Sequence, residues 1–177
     1  SDYLVVPGLR VGPISRSSTE QSVRQTFGKL AARENIGVGE GVDEPGLVLY
    51  PSDPGRRLEI TWNNDRPPHP AMIYICRNEF EGNCRWRTAV GISIGTTLRE
   101  LEKLNGKPFE MVGWGSDVGG NLTSFQGGRL EKEFGSLALS LVPKIDRDGN
   151  YLPRLTDREL SEVQGEKFLL SNHPVLQ

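Results

Sequence analysis

Two stretches of this chain share one pattern: a strand-like segment, then a short helix that stops at a glycine. The first covers residues 11–29 (VGPISRSSTEQSVRQTFGK) and the second covers residues 90–107 (VGISIGTTLRELEKLNGK). Gly106 follows Gly28 by 78 positions, and both glycines stand where a helix ends in a left-handed residue. The spacing predicts two copies of one unit, which limits the chain to folds that accept a tandem arrangement.

The residues before each predicted helix are suited to capping it. Thr97 has Glu100 three positions later, and Ser17 has Glu20 in the same relation. In this spacing the hydroxyl and the carboxylate each accept a backbone N–H of the first helical turn. We therefore expect both helices to begin with a capping box.

A series of short strands is expected after each helix, because 21 glycines and 12 prolines supply frequent turns. The predicted fold class is α+β, with two tandem helix-plus-antiparallel-meander repeats that form one curved sheet with helices on one side. Residues 1–88 make the first repeat, and residues 89–177 make the second with an irregular tail. The predicted strands are 30–36, 47–50, 58–62 and 71–76 in the first repeat, and 109–114, 122–126, 129–132 and 137–142 in the second.

The two cysteines bear on the compartment in which the protein works. Cys76 and Cys84 stand eight positions apart, on two β-like arms around the turn-prone sequence NEFEGN. Cysteines that face each other across a hairpin are close enough to form a disulfide, which favours a periplasmic or otherwise exported protein. Two free thiols in a cytosolic protein are the alternative.

Bulk properties exclude several partners. A net charge of -2 gives no overall attraction to nucleic acid or to anionic membranes. No apolar run approaches the roughly 18 residues that span a bilayer, so no transmembrane segment is expected. The polar start at Ser1 fits a processed N-terminus, and a lipid anchor upstream of Ser1 remains open. The sequence has no cluster of histidines and cysteines with the spacing of a metal site, so no metal is predicted. No cofactor is predicted either.

The tandem pattern resembles a known fold, that of the β-lactamase inhibitory proteins. It is also similar to the small outer-membrane lipoproteins of the barrel-assembly machinery, and residues 39–64 and 104–120 resemble a group of uncharacterised bacterial envelope proteins. The resemblance implies an α+β fold and an envelope setting, with no activity. The inhibitory proteins carry a disulfide in each repeat and this chain has one possible pair, so β-lactamase inhibition is not carried over. The resemblance is carried by Val11, Gly12, Ile14, residues 19–28, residues 90–92, residues 95–97 and residues 98–106.

Aromatic and arginine residues are the candidate partner contacts. The glycine-rich sequence GWGSDVGG holds Trp114 and Asp117, and a binding loop of this kind lets a partner approach closely. Trp62, Trp86 and Arg85 would extend the contact surface, since tryptophan and arginine are enriched in interface hot spots. Arg85 and Trp86 point to opposite faces of a strand, so only one of the two can meet the partner. Packing of the tryptophans in the core is the alternative.

The leading hypothesis is a non-enzymatic bacterial envelope or secreted protein that binds another protein through its sheet face and loops. The identity of that protein partner does not follow from the sequence. One alternative is an envelope glycan hydrolase that uses paired carboxylates such as Asp117, Glu59 or Glu131. Another is a structural envelope lipoprotein. No catalytic residue is assigned, because the two histidines each stand beside a proline and no nucleophile pattern accompanies them.

Overall fold

The computed structural model describes residues 2–77, 83–113, 120–134, 137–142 and 169–173. Strands and three helices alternate along these residues. In chain order they are β1 (Leu4–Val6), β2 (Arg10–Val11), β3 (Ile14–Ser15), α1 (Glu20–Phe27), β4 (Ala31–Gly39), β5 (Val42–Leu49), β6 (Leu58–Trp62), β7 (Pro70–Ile75), β8 (Arg87–Thr88), α2 (Leu98–Asn105), β9 (Glu110–Met111), β10 (Leu122–Ser124), α3 (Glu131–Phe134), β11 (Ala138–Val142) and β12 (Leu169–His173).

The main sheet has six strands in the order β11-β12-β7-β6-β5-β4, and its pairs are antiparallel. A second sheet has the order β3-β2-β1-β8, in which β1 and β8 run parallel. A third sheet is the antiparallel pair of β9 and β10. The predicted α+β class with antiparallel sheets is therefore confirmed.

Both predicted helices form, and both begin at a threonine. Thr97 and Glu100 make the expected capping box at α2. At α1 the box joins Thr19 to Ser22, so the predicted pair of Ser17 and Glu20 is wrong. The reason lies in the preceding turn, where the hydroxyl of Ser18 accepts the backbone N–H of Ser15 at 3.0 Å. The chain up to Ser18 is thus still closing this turn, and the helix starts after it.

The strands after α1 follow the prediction closely, and after α2 the strands β10 and β11 lie within the predicted strands 122–126 and 137–142. The predicted end of the first of these strands at residue 36 is wrong, since β4 continues to Gly39 and the turn lies at Glu40 and Gly41, both with positive φ. Two such residues match the right-handed twist of a hairpin. The predicted strand 129–132 is also wrong, because α3 begins at Glu131. The tandem repeat and the single curved sheet stay predictions.

The core consists of separate apolar clusters. The first contains the inner faces of β5, β6 and β7, together with Val23 of α1 and Trp86. The second contains Leu101 of α2 and the leucines of β11. Ile94 belongs to the first cluster and Ile92 to the second. The chain passes between the clusters near the predicted boundary at residues 88 and 89, and the division into two units there stays a prediction.

The predicted disulfide between Cys76 and Cys84 is present. Their Cα atoms are 5.9 Å apart, and both residues are buried in the first cluster. The bond does not cross a simple hairpin, because β7 lies in the main sheet and β8 pairs with β1 in the second. The disulfide therefore ties the two sheets together.

We expect the double variant Cys76→Ala/Cys84→Ala to unfold at a lower denaturant concentration. Removing a cross-link over eight positions releases unfolded-state entropy worth about 2.5 kcal/mol at room temperature. Urea unfolding measures this loss, and fully reduced wild-type protein should match the variant. An unchanged midpoint would contradict the stabilising role of the bond.

Candidate partner-binding groove

Trp86 is a core residue, the alternative that the sequence left open. Its side chain is 2% exposed, and its indole N–H donates to the carbonyl of Arg56 at 2.9 Å. The ring of Tyr3 packs edge-on against it with centroids 5.2 Å apart. A Cβ at Gly12 would lie 2.9 Å from the indole. Packing and one hydrogen bond thus fix the ring inside the protein.

Arg85 points away from Trp86, as the alternation of a strand predicts. Residues 84 and 86 are buried and Arg85 is exposed. Its guanidinium lies 5.9 Å from the centroid of the Tyr3 ring, and its backbone N–H donates to Gly55. Arg85 is therefore accessible on the surface. The candidates Trp114 and Asp117 lie outside the described residues.

Trp62 lines a surface groove of about 590 Å³. The side chain is half-buried, at the end of β6, and packs against the first cluster. Its indole nitrogen is buried and has no hydrogen-bond partner among the residues that the structure describes. Trp62 thus differs from Trp86, because packing alone holds its ring. The groove is lined by Glu20, Arg33, Glu34, Asn35, Pro45, Gly46, Trp62, Asn63 and Pro68.

Strand register explains how these residues meet. Arg33 and Asn35 of β4 stand opposite Leu47 and Pro45 of β5, and alternate side chains of a strand share one face. Both therefore lie on the face of the sheet that carries α1. Glu20 at the start of α1 pairs with Arg33, with Oε1 and Nε 2.6 Å apart. The ion pair forms one wall of the groove.

The loop after β6 forms the opposite wall and is held by hydrogen bonds. The side-chain oxygen of Asn63 accepts the backbone N–H groups of His69 at 2.8 Å and of Asp65 at 3.2 Å. The Nδ1 atom of His69 is 3.1 Å from the carbonyl oxygen of Ser18, just before α1. These contacts fix the width of the groove before any partner arrives.

The charges at the groove are paired within the chain. The hydrogen bond that Arg33 donates to Glu20 raises the pKa of the Arg33 guanidinium above its ordinary value. Glu34 is paired with Arg57, and its Oε2 lies 3.2 Å from a guanidinium nitrogen of Arg57. The groove therefore presents an indole ring, two prolines and neutralised charges. Such a surface suits binding and offers no pair of free carboxylates for acid-base chemistry.

Glu59 lies on the other face of the sheet, in a small cluster with Tyr74. It is 6% exposed. One carboxylate oxygen is 2.8 Å from Nε of Arg57, and the other is 3.2 Å from a guanidinium nitrogen of Arg77. Burial is the largest single effect on the Arg57 guanidinium and lowers its pKa, but the hydrogen bonds and charges of Glu59 and Glu34 together outweigh it, so the pKa of Arg57 is raised. Both oxygens of Glu59 are thus occupied.

Glu131, the other described carboxylate of the hydrolase hypothesis, stands at the start of α3. It is exposed, and its Oε2 accepts the backbone N–H of Gly127 at 3.1 Å. Its neighbour Leu130 packs in the second cluster, whereas Glu59 lies on the main sheet.

Within the described ranges, no group of histidine, cysteine and acidic residues could hold a metal ion. No helix in the same ranges is long and apolar enough to cross a membrane.

Arg77 also fixes the tip of the β4–β5 hairpin. It donates to the carbonyl of Gly37 at 2.6 Å, and its guanidinium lies 3.5 Å from the centre of the Tyr74 ring. Strands β7 and β4 are separated by two others, which is about 14 Å across a flat sheet. The contact forms because the hairpin tip folds back over the face that carries Glu59. The groove lies on the opposite face of the same hairpin.

Comparison with protein-family models, with curated proteins and with solved structures finds no match. The likeness to the β-lactamase inhibitory proteins thus stays an expectation from the sequence, and the geometry of the groove carries the functional argument.

Sequence reasoning named Trp62 but missed the residues around it. Arg33, Asn35 and Pro45 have no distinctive motif, and strand pairing alone brings them beside the indole ring. The available signal was the alternation of β4, which placed Arg33 and Asn35 on one face.

The two tryptophans should respond differently to truncation. We expect Trp86→Ala to cost about 3–5 kcal/mol of unfolding free energy, because it empties a core site. Trp62→Ala should cost only about 1–2 kcal/mol, since its ring is half-exposed and makes no hydrogen bond. Chemical denaturation of both variants measures the difference. Equal losses would identify Trp62 as another core residue.

Glu59 and Glu34 make a matched pair for testing the arginine network. We expect Glu59→Gln to lower the unfolding free energy by about 2–3 kcal/mol, because it removes the charge that Arg77 pairs with and leaves Arg57 with Glu34 alone. Glu34→Gln removes a more exposed ion pair and should change it by less than about 1 kcal/mol. Thermal and urea unfolding compare the two, and similar small losses would show that Glu59 has no special role.

Proposed function

We propose that this protein is an exported, non-enzymatic binding protein that holds part of another protein in the groove beside Trp62. The observation that carries the proposal is the half-buried indole in that groove, which makes no hydrogen bond to another described residue. The alternative of two paired carboxylates gains no support from Glu59, whose oxygens are both taken by arginines.

Physical properties of the groove favour a protein partner. Tryptophan offers a large, rigid contact area and recurs at the energetic centre of interfaces. Walls held by Asn63 and by the Glu20–Arg33 pair reduce the ordering cost of binding.

The proposal places the protein in the bacterial envelope. The Cys76–Cys84 disulfide supports an oxidising compartment such as the periplasm. The tandem arrangement of residues 1–88 and 89–177 around one curved sheet belongs to the same proposal. It is supported by the two threonine-capped helices, Thr19 and Thr97, which lie 78 positions apart.

Site-specific photo-crosslinking tests the proposal. A benzophenone amino acid placed at Asn35, on the rim of the groove, should form an adduct with one protein of the envelope fraction. The same residue at Leu9, which is 63% exposed and does not line the groove, is the matched control. We expect Trp62→Ala to weaken the adduct at Asn35 by at least about tenfold.

Two results would overturn the proposal. Equal yields of adduct from Asn35 and Leu9 would show non-specific binding to the surface. No adduct from the groove would show that no protein binds there. The near-native stability expected of Trp62→Ala separates lost binding from lost folding.

A further inference from the structure

We propose that the free edge of β4 takes an extended segment of the partner as an added antiparallel or parallel strand. This rests on the proposed function, because it supposes that the partner is a protein. It adds the mode of recognition, which is hydrogen bonding between main chains along one sheet edge.

The two ends of the main sheet are different. At one end β11 is covered, since Ser140 bridges Asn121 and the N–H of Leu141 donates to the carbonyl of Gly120 at 2.8 Å. At the other end is β4, where residues 33, 34 and 35 are all exposed. Neighbouring side chains of a strand point to opposite faces, so three exposed residues in a row indicate an open edge.

The hydrogen-bond pattern shows which backbone groups face outward. The N–H of Tyr50 donates to the carbonyl of Leu30 at 2.8 Å, so the pair that comes just before Ala31–Leu49 in the β4–β5 register is hydrogen-bonded. In an antiparallel ladder, residue pairs joined by hydrogen bonds alternate with pairs that are not. The backbone N–H and carbonyl groups of Arg33 and Asn35 therefore point away from β5. Pro45 stands opposite Asn35 and has no N–H. Proline is tolerated at this position because the Asn35–Pro45 pair makes no hydrogen bonds in the ladder.

Bonds within the chain set the limits of the open segment. The N–H of Ala31 donates to the carbonyl of Gly28, and the carbonyl of Gly37 accepts from Arg77. Between these limits, no hydrogen bond to another described residue is made by the carbonyl of Ala31 or by the N–H and carbonyl groups of Arg33 and Asn35. This row of donors and acceptors matches an extended segment of about five residues.

The charges on β4 are already neutralised. Arg33 is paired with Glu20 and Glu34 with Arg57, so an added strand need not bring opposite charges to them. Alternate side chains of the added strand would lie beside Arg33 and Asn35, toward the groove with Pro45. The occupant is therefore an extended, weakly charged segment with an apolar side chain on the groove side.

A peptide selection tests this inference. Random eight-residue peptides displayed on phage are selected on the wild-type protein, and an enriched peptide is synthesised for affinity measurement. Asn35→Pro removes one outward N–H and should weaken binding at least about tenfold. Asn35→Ala keeps the N–H and should change it less than about threefold. Proline is tolerated at an edge position of this kind, so Asn35→Pro should still fold.

Glu34→Pro is the matched control for strand register. The N–H of Glu34 points inward to β5, so this variant should lose the hairpin and much of its thermal stability. If Asn35→Pro fails to fold as well, peptides methylated at single amide nitrogens provide the second measurement. Strand addition requires one alternating set of amides to be sensitive to methylation and the other to be insensitive.

Several outcomes would overturn strand addition and leave the proposed function intact. The clearest is binding that survives Asn35→Pro and is lost in Trp62→Ala, which would place the peptide across the groove. Failure to enrich any peptide over a counter-selection on Asn35→Pro would also overturn it. A wild-type dimer that Asn35→Pro converts to a monomer would instead overturn the choice of occupant, because the added strand would then come from a second copy of this chain.

Discussion

The contact between Ile36 and the backbone at Gly46 is the constraint on which the rest of the hairpin depends. A Cβ at position 46 would collide with the δ carbon of Ile36 and would lie 2.5 Å from the carbonyl oxygen of Ile60. Only glycine lets three neighbouring strands approach so closely at this point. The packing of Ile36 over this part of the sheet therefore depends on the absence of a side chain at position 46.

The two faces of the β4–β5 hairpin carry different groups. On one face the buried carboxylate of Glu59 and the guanidinium of Arg77 hold the tip in place. On the other face the groove presents Trp62 beside paired charges. The ion pairs of Glu59 thus lie on the face of the hairpin away from the groove. This arrangement explains why a surface poor in unpaired charge can coexist with an ionic network a few strands away.

Local features were predictable from the sequence because they depend on near neighbours. The capping box of Thr97, the bounds of β6 and the pairing of Cys76 with Cys84 all follow from spacing. The burial of Trp62 and Trp86 depends on distant segments of the chain, which cover the ring of Trp86 more fully than that of Trp62. The spacing of residues along the sequence does not show which segments these are. The groove was missed for the same reason. Two candidates, Trp114 and Asp117, lie outside the described residues.

The position of β12 has a consequence for the order in which the protein is made and folded. This strand lies between β11 and β7, where Asn172 pairs with Ile75, although nearly a hundred residues separate them along the chain. During synthesis or export the early strands emerge long before their neighbour does. Until then β7 has an open side, and such non-local pairing folds slowly. A newly made chain is therefore most exposed to wrong pairing at β7, and a chaperone that shields this strand would raise the yield.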